Sequence, residues 1–550
     1  MPDTVTDQTF SLFEGESAMR ETREMEMLPP FPSAYRSSGV LAHVTSLPSR
    51  YGIGDLGPAS YAWIDRLHEA GQGWWQALPL GPTGYGNSPY QSLSSFAGNG
   101  LLLSPECLIS DGLLQTEDAA SQFPSEVVDY DSVIPFKERL LVSAWETFKA
   151  GERKDLRFAY EEFCASQATW LEDYALFRAL KNKFGGAYYL EWPEDLVQRK
   201  PAALAKERRE LADGIDRFRL EQFLLLRQAD QLKEYAHSKG VRLIGDLPFF
   251  VSPDSSDVWA NPELFLLDEQ RRPRFVAGVP PDYFSSDGQL WGNPVYNWDI
   301  VRFTGYHWCI QRIRALLSHV DAIRLDHFRG FSAAWHVASG ATTARAGEWV
   351  PGPGARLFKA IRQELGCMPF IAEDLGTLTP DVALLRVEFL IPGTRVLQFA
   401  FNGDAENPYL PQNFVDNTVA YTGTHDNPPT REWYEQLSGS QKHFISSYLG
   451  RPLENSAEAA PALMALAWYS KAALTIAPLQ DVLDLGVGTR MNLPGSATGN
   501  WRWRVTGNNL ATSAFQWLRD LSETSMRCAN PRSHVPTPKA YRAKLLHANF

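Results

Sequence analysis

Short apolar stretches recur along this chain, and they lack the in/out alternation of a half-buried strand. GVLAHVTSL (39–47), WWQALPL (74–80), VRLIGDLPFF (241–250) and AIRLDHF (322–328) come first. FIAEDLG (370–376), RVLQFAF (395–401), TVAYTGTHD (418–426) and APLQDVLDLG (477–486) follow. A strand that is apolar on both faces belongs in a parallel sheet covered by helices. Helical periodicity fills the intervals. It runs over about 59–70, over 167–186 through Trp170, Tyr174, Phe177 and Leu180, and over 215–240 through Leu225, Ala229, Leu232 and Ala236. Strands alternating with helices over this length predict a (β/α)8 TIM barrel with helical and loop insertions. The rival, a doubly wound open sheet, lacks a G-x-G-x-x-G after its first strand. The expected organisation is an N-terminal extension over 1–35 and a barrel over 36–550. The barrel carries a mainly helical insertion at about 105–215 and a loop subdomain at about 250–320.

The ends of these stretches are chemically unusual. Asp246 ends LIGD, Asp326 and His327 end IRLDH, Glu373 and Asp374 end IAED, and His425 and Asp426 end THD. In a barrel the C-terminal strand ends open onto one face, so these groups converge. A single aspartate there often caps the next helix. A set of them with arginine and histidine neighbours needs a stronger reason, because buried carboxylates require partners. Carboxylates held close cannot all ionise, so one pKa rises. A neutral carboxylic acid beside an ionised carboxylate is the equipment for cleaving a glycosidic bond.

Competing chemistries fit less well. Acidic clusters hold Mg²⁺ or Ca²⁺, but Arg324 and Arg329 place fixed positive charge beside these acids, and no metal is expected. No P-loop and no G-x-S-x-G elbow occurs. The net charge of −12 argues against nucleic acid and anionic membrane as partners. No apolar run approaches the length needed to span a bilayer, and no signal pattern opens the chain. The five cysteines, Cys107, Cys164, Cys309, Cys367 and Cys528, show no C-x-x-C spacing. They read as reduced, mostly buried thiols of a cytoplasmic protein.

IGDLPFF, IRLDHFRG, IAEDLG and YTGTHDN, in that order, resemble the four strand-end segments of the α-amylase clan. Four longer stretches narrow the resemblance: GPTGYGNSPYQSLSSFAGNGLLLSP (81–105), PPDYFSSDGQLWGNPVYNWD (280–299), EWVPGPGARLF (348–358) and MNLPGSATGNWRWR (491–504). Over about 39–504 the chain resembles the amylomaltase, or 4-α-glucanotransferase, family. The resemblance implies transfer of α-1,4-glucan segments from a donor to the 4-hydroxyl of an acceptor glucan or glucose, with retention of configuration and no cofactor. It implies Asp326 as nucleophile, Glu373 as general acid/base and Asp426 as the carboxylate bracing the sugar. Arg324 would orient Asp326, His327 and His425 would bond sugar hydroxyls, and Tyr90 would stack on the sugar. Asp282, Tyr283, Phe284 and Trp291 would cover the glucan, with further contacts from Ser88, Asp246, Gln289, Phe399 and Asn492. Two features depart from the family pattern: PPTREWY after GTHDN, and the N-terminal extension. The partners implied are donor and acceptor sugars, and the chain would be a monomer or a homodimer. A hydrolase of the same clan, and a catalytically silent glucan-binding barrel, are the alternatives.

Overall fold

The computed structural model describes residues 30–32, 34–151, 153–281, 285–376, 379–496 and 498–529. The N-terminal extension therefore lies almost wholly outside the described residues. Twelve strands are present among those described: β1 (Ser37–Leu41), β2 (Trp74–Gln76), β3 (Arg242–Leu247), β4 (Phe275–Val279), β5 (Gln289–Pro294), β6 (Ala322–Leu325), β7 (Ala333–Ala338), β8 (Gly347–Pro351), β9 (Phe370–Ala372), β10 (Gly393–Val396), β11 (Thr418–Tyr421) and β12 (Leu474–Pro478).

Eight of them close a parallel barrel in the order β1-β12-β11-β10-β9-β6-β3-β2, with β1 also paired to β2. Closure leaves no sheet edge. Each of the eight apolar stretches contributes one strand, and β1, β6, β9, β11 and β12 are buried along their whole length. Helices cover the outside: Pro58–Glu69, Ala212–Ser238, His307–His319, Gly354–Leu365, Pro380–Glu388, Ala459–Tyr469 and Ala514–Thr524. In Gly354–Leu365 the buried positions Leu357, Phe358, Ile361 and Leu365 fall at helical spacing, and Gly366 ends the helix in the left-handed conformation.

The last strand departs from the sequence expectation. It spans Leu474–Pro478, so most of APLQDVLDLG lies beyond it, and Leu479–Val482 is helical. Proline at 478 ends the strand and sets up that turn of helix. The cysteines also differ. Cys107, Cys164, Cys309 and Cys528 are free thiols, and each of the five cysteines is half-buried rather than buried.

Between β2 and β3 the chain runs through the helices Tyr130–Ala150 and Lys154–Lys183 before it reaches Ala212–Ser238. Lys137 fastens the first of these to the barrel. Its buried ammonium donates to the Leu103 carbonyl at 2.7 Å and lies 3.5 Å from Asp55. Strands β4, β5, β7 and β8 form a separate antiparallel sheet in the order β5-β4-β7-β8. It is built from inserts on both sides of β6.

The first and last barrel strands are sealed by a residue near the other end of the chain. Arg527 is fully buried. Its guanidinium donates to the carbonyls of Ser37 (3.1 Å), Trp468 (2.6 Å), Ser470 (2.8 Å) and Ala472 (2.8 Å). All of those acceptors flank the β1–β12 seam. Among the described residues no helix is long and apolar enough to cross a membrane.

Candidate active site

The register of the parallel strands decides which side chains meet. Asp246 on β3 pairs with Arg324 on β6, and Leu325 on β6 pairs with Ala372 on β9. The next residues along β6 and β9 are Asp326 and Glu373, so these two leave neighbouring strand ends side by side. The Glu373 amide donates to the Leu325 carbonyl at 3.0 Å, and the Phe328 amide donates to the Glu373 carbonyl at 3.0 Å.

Arg324 Nη1 donates to both oxygens of Asp246 at 2.9 Å and to Asp326 Oδ1 at 2.9 Å. Burial works against its charge, but Asp246, Asp326, Tyr90 and Glu373 outweigh that and hold the guanidinium firmly protonated. Asp326 is thereby presented as an ion-paired carboxylate.

Glu373 is held differently. Its carboxyl accepts the amides of His327 (2.8 Å) and Leu375 (3.1 Å). Loss of surrounding water is the main influence on it. Arg324 opposes that influence and the charge of Asp326 adds to it, and the carboxyl is pushed up to about 8. Glu373 is then a neutral acid at neutral pH, next to the Arg324-paired Asp326.

His327 makes this geometry possible. It adopts the left-handed conformation, with φ of 46°. That turn is rare for a residue with a side chain and marks a position fixed by its surroundings. It points the amide at Glu373. The imidazole stands edge-on to Trp291, with ring centroids 4.8 Å apart, and close to Phe249 and Phe250. Burial lowers its pKa to about 4, so the ring is neutral, and Nε2 is buried without a hydrogen-bond partner.

Asp426 stands across the mouth, beyond β11. Asn492 Nδ2 donates to its Oδ1 at 2.6 Å, and His425 Nε2 lies 3.4 Å from the same atom. Arg490 ties both backbones together, donating to the Asp426 carbonyl and, at 2.7 Å, to the Asn492 carbonyl. Tyr90 joins the two halves of the site. Its ring stacks on His425 with centroids 5.2 Å apart and planes 13° apart, and its hydroxyl donates to Asp246 at 2.7 Å. The contacts thus run without a break from Asp426 through His425, Tyr90, Asp246, Arg324 and Asp326.

Other expected residues sit further out. The Ser88 hydroxyl accepts the Tyr90 amide at 3.3 Å and shapes that turn. Gln289 accepts from Trp291 Nε1 at 3.1 Å on the exposed start of β5. The Phe399 ring packs edge-on against Tyr409, with centroids 5.6 Å apart. Arg329, read from sequence as a neighbour of the acids, lies over the Trp349 ring at 3.9 Å and donates to Thr379 at 3.0 Å. Asp374 turns away from the mouth and pairs with Arg386 and Arg395. Asp282, Tyr283 and Phe284 lie outside the described residues. Sequence reasoning missed Arg490, Trp501 and Tyr409. Trp501 packs 5.9 Å from Tyr90 and 6.0 Å from His425. Trp501 and its neighbours stand in a motif already noted, which was the one available signal.

A family model described as 4-alpha-glucanotransferase matches residues 42–511. The chain belongs to the 4-alpha-glucanotransferase family. Among its relatives in that family, the 4-alpha-glucanotransferase of Synechocystis is 47% identical over 480 residues, covering 86% of this chain and 95% of the relative. That of Thermus thermophilus is 44% identical, covering 90% and 99%. Among solved structures, an amylomaltase from Streptococcus agalactiae in complex with acarbose superposes with a TM-score of 0.86 at 38% identity, covering 90% of this chain and all of that one. The 4-alpha-glucanotransferases are enzymes, and the match spans Tyr90, Asp246, Arg324, Asp326, Glu373 and Asp426.

Proposed function

We propose that this chain moves α-1,4-glucan segments between maltooligosaccharides by a retaining double displacement. The observation that carries the reading is the unequal pair at neighbouring strand ends: a carboxyl raised to about 8 at Glu373 and an Arg324-paired carboxylate at Asp326. Adjacent strands are about 4.8 Å apart, which suits the roughly 5–5.5 Å carboxyl spacing of retaining enzymes.

In this mechanism the Asp326 carboxylate attacks the anomeric carbon while Glu373 gives its proton to the departing 4-oxygen. Positive charge grows on the ring, and Asp426, held by Asn492, stabilises it. The glycosyl ester on Asp326 then meets a second glucan, whose 4-hydroxyl loses its proton to Glu373 as the new bond forms. Neutral His327, with its free Nε2, and His425 bond the sugar hydroxyls, and Tyr90 stacks on the ring. Ser88, Gln289, Phe399 and the 282–284 segment serve the outer sugars, and the 250–320 region covers them. The broken bond's energy is kept in the new one, so no cofactor is required. Transfer outruns hydrolysis only if the acceptor is bound and oriented, because water is always at hand. The free thiols Cys107, Cys164, Cys309 and Cys528 suit a reducing cytoplasm.

Incubation with maltotriose tests the proposal. Transfer gives glucose plus a ladder of longer oligomers, whereas glucose and maltose alone would make this a hydrolase. Asp326→Asn abolishes turnover and keeps glucan binding, while Glu373→Gln lowers the rate by roughly 10²–10⁴. Turnover at the native rate by either variant would refute the roles.

A further inference from the structure

Behind the site, between β3 and the helices Ala212–Ser238 and His307–His319, lies a partly open cavity. Leu225 and Ala229 line it from the first helix, Leu316 from the second, and Phe96 and Phe250 from the loops. Its inner wall is Tyr90 and Asp246, so it ends one side chain from the carboxylates. Mainly apolar walls with a few polar groups are the usual make-up of a small-molecule pocket.

The polar group is Arg312. It shares one face of its helix with Ala315, Leu316 and His319, and all four line the cavity. Arg312 is 6% exposed. Nη1 and Nη2 donate to the main-chain carbonyls of Phe249 (3.3 Å) and Pro248 (2.6 Å). Nε is buried without a partner, the Trp308 ring lies 5.6 Å from the guanidinium, and among the described residues no carboxylate is within ion-pair distance of it. Asp257 accepts from the Ser95 amide at 2.7 Å; burial pushes that acid up to about 6 and Arg312 draws it back, so the two charges feel each other without direct contact. His319, at the same cavity, is already paired with Asp230. A buried cation that no carboxylate touches can take an anion delivered directly beside it.

We propose that this cavity binds a small amphiphilic carboxylate, its apolar body between Leu225, Ala229 and Leu316 and its carboxylate on Arg312. The site meets the glucan-binding face at Tyr90 and Asp246, its inner wall, but does not depend on the glucan reading. A fatty acid and an aryl-alkanoic acid share this chemistry.

Calorimetric titration of the full chain with octanoate and with 1-octanol tests it. Octanoate binds once per chain and at least about tenfold tighter than the alcohol, since only it ion-pairs with Arg312. Arg312→Gln brings the two ligands within about twofold of each other, and Ala229→Phe fills the cavity and removes binding of both. Thermal unfolding of each variant confirms that it is folded. Because the octanoate–octanol comparison is made on the unaltered chain, it decides the matter even if a variant fails to fold. Equal affinity for the alcohol, octanoate preference surviving in Arg312→Gln, binding of both ligands surviving in a folded Ala229→Phe, or no saturable octanoate binding would each overturn the proposal.

Discussion

Asp326→Asn removes one negative charge from beside Glu373 and leaves its shape. Burial is the largest reason that Glu373 sits at about 8, Arg324 pulls it down, and Asp326 pushes it up. The two residues follow a directly paired Leu325 and Ala372, and neighbouring strands lie about 4.8 Å apart. Charges roughly 5–6 Å apart at an effective dielectric constant of about 20 interact by roughly 3 kcal/mol, or about 2 pK units. In the variant Arg324 also loses a partner and bears more strongly on Glu373. The carboxyl should therefore fall from about 8 to about 6 or below. The same charge vanishes when Asp326 becomes an ester, so the variant imitates the state in which Glu373 must accept a proton. Carboxyl ¹³C NMR of glutamate-labelled protein, with Glu373→Gln identifying the resonance, measures the titration in both backgrounds. A Glu373 pKa that stays put or rises in Asp326→Asn would refute the argument that these carboxyls are coupled.

Activity carries the same signature. The acid is active when protonated, so kcat/KM should hold below about 8 and fall tenfold per pH unit above it, with the break set by Glu373; a flat alkaline limb contradicts this. Tyr90→Phe keeps the stack on His425 but removes the 2.7 Å hydrogen bond to Asp246. Loss of a bond to a charged group should lower kcat/KM by roughly 10- to 100-fold in a steady-state maltotriose assay. Gly54→Ala places a Cβ 1.9 Å from the Val44 carbonyl oxygen, a backbone atom with no room to move. Urea unfolding should show a loss of about 1–3 kcal/mol or more, and a native midpoint would mean that this turn is not packed as described.

The barrel was legible because burial on both faces writes each strand as an unbroken apolar stretch. The acids stood out because a strand end is the one place where such a stretch tolerates them. The antiparallel sheet of β4, β5, β7 and β8 was not legible. Its strands carry mixed polarity, as in EWVP and QLWGNP, and they lie on opposite sides of β6 in sequence. Arg490 left no trace for another reason: it acts through two main-chain carbonyls, and no residue type at the acceptor records that. Tyr90 was read as a platform for sugar. That its hydroxyl also reaches Asp246, 156 residues away, depends on barrel closure and on nothing local.

The Arg527 seal has a consequence for synthesis. Its guanidinium grips the Ser37 carbonyl, 490 residues upstream. The first strand emerges from the ribosome with one flank unsatisfied and stays so until β12 and then Arg527 have followed. For most of translation the growing chain is an open sheet with a bare edge, in need of shelter from its neighbours. Nascent chains stalled before residue 474 should accordingly be cut by added protease within the barrel segments, and those stalled well past 529 should resist it.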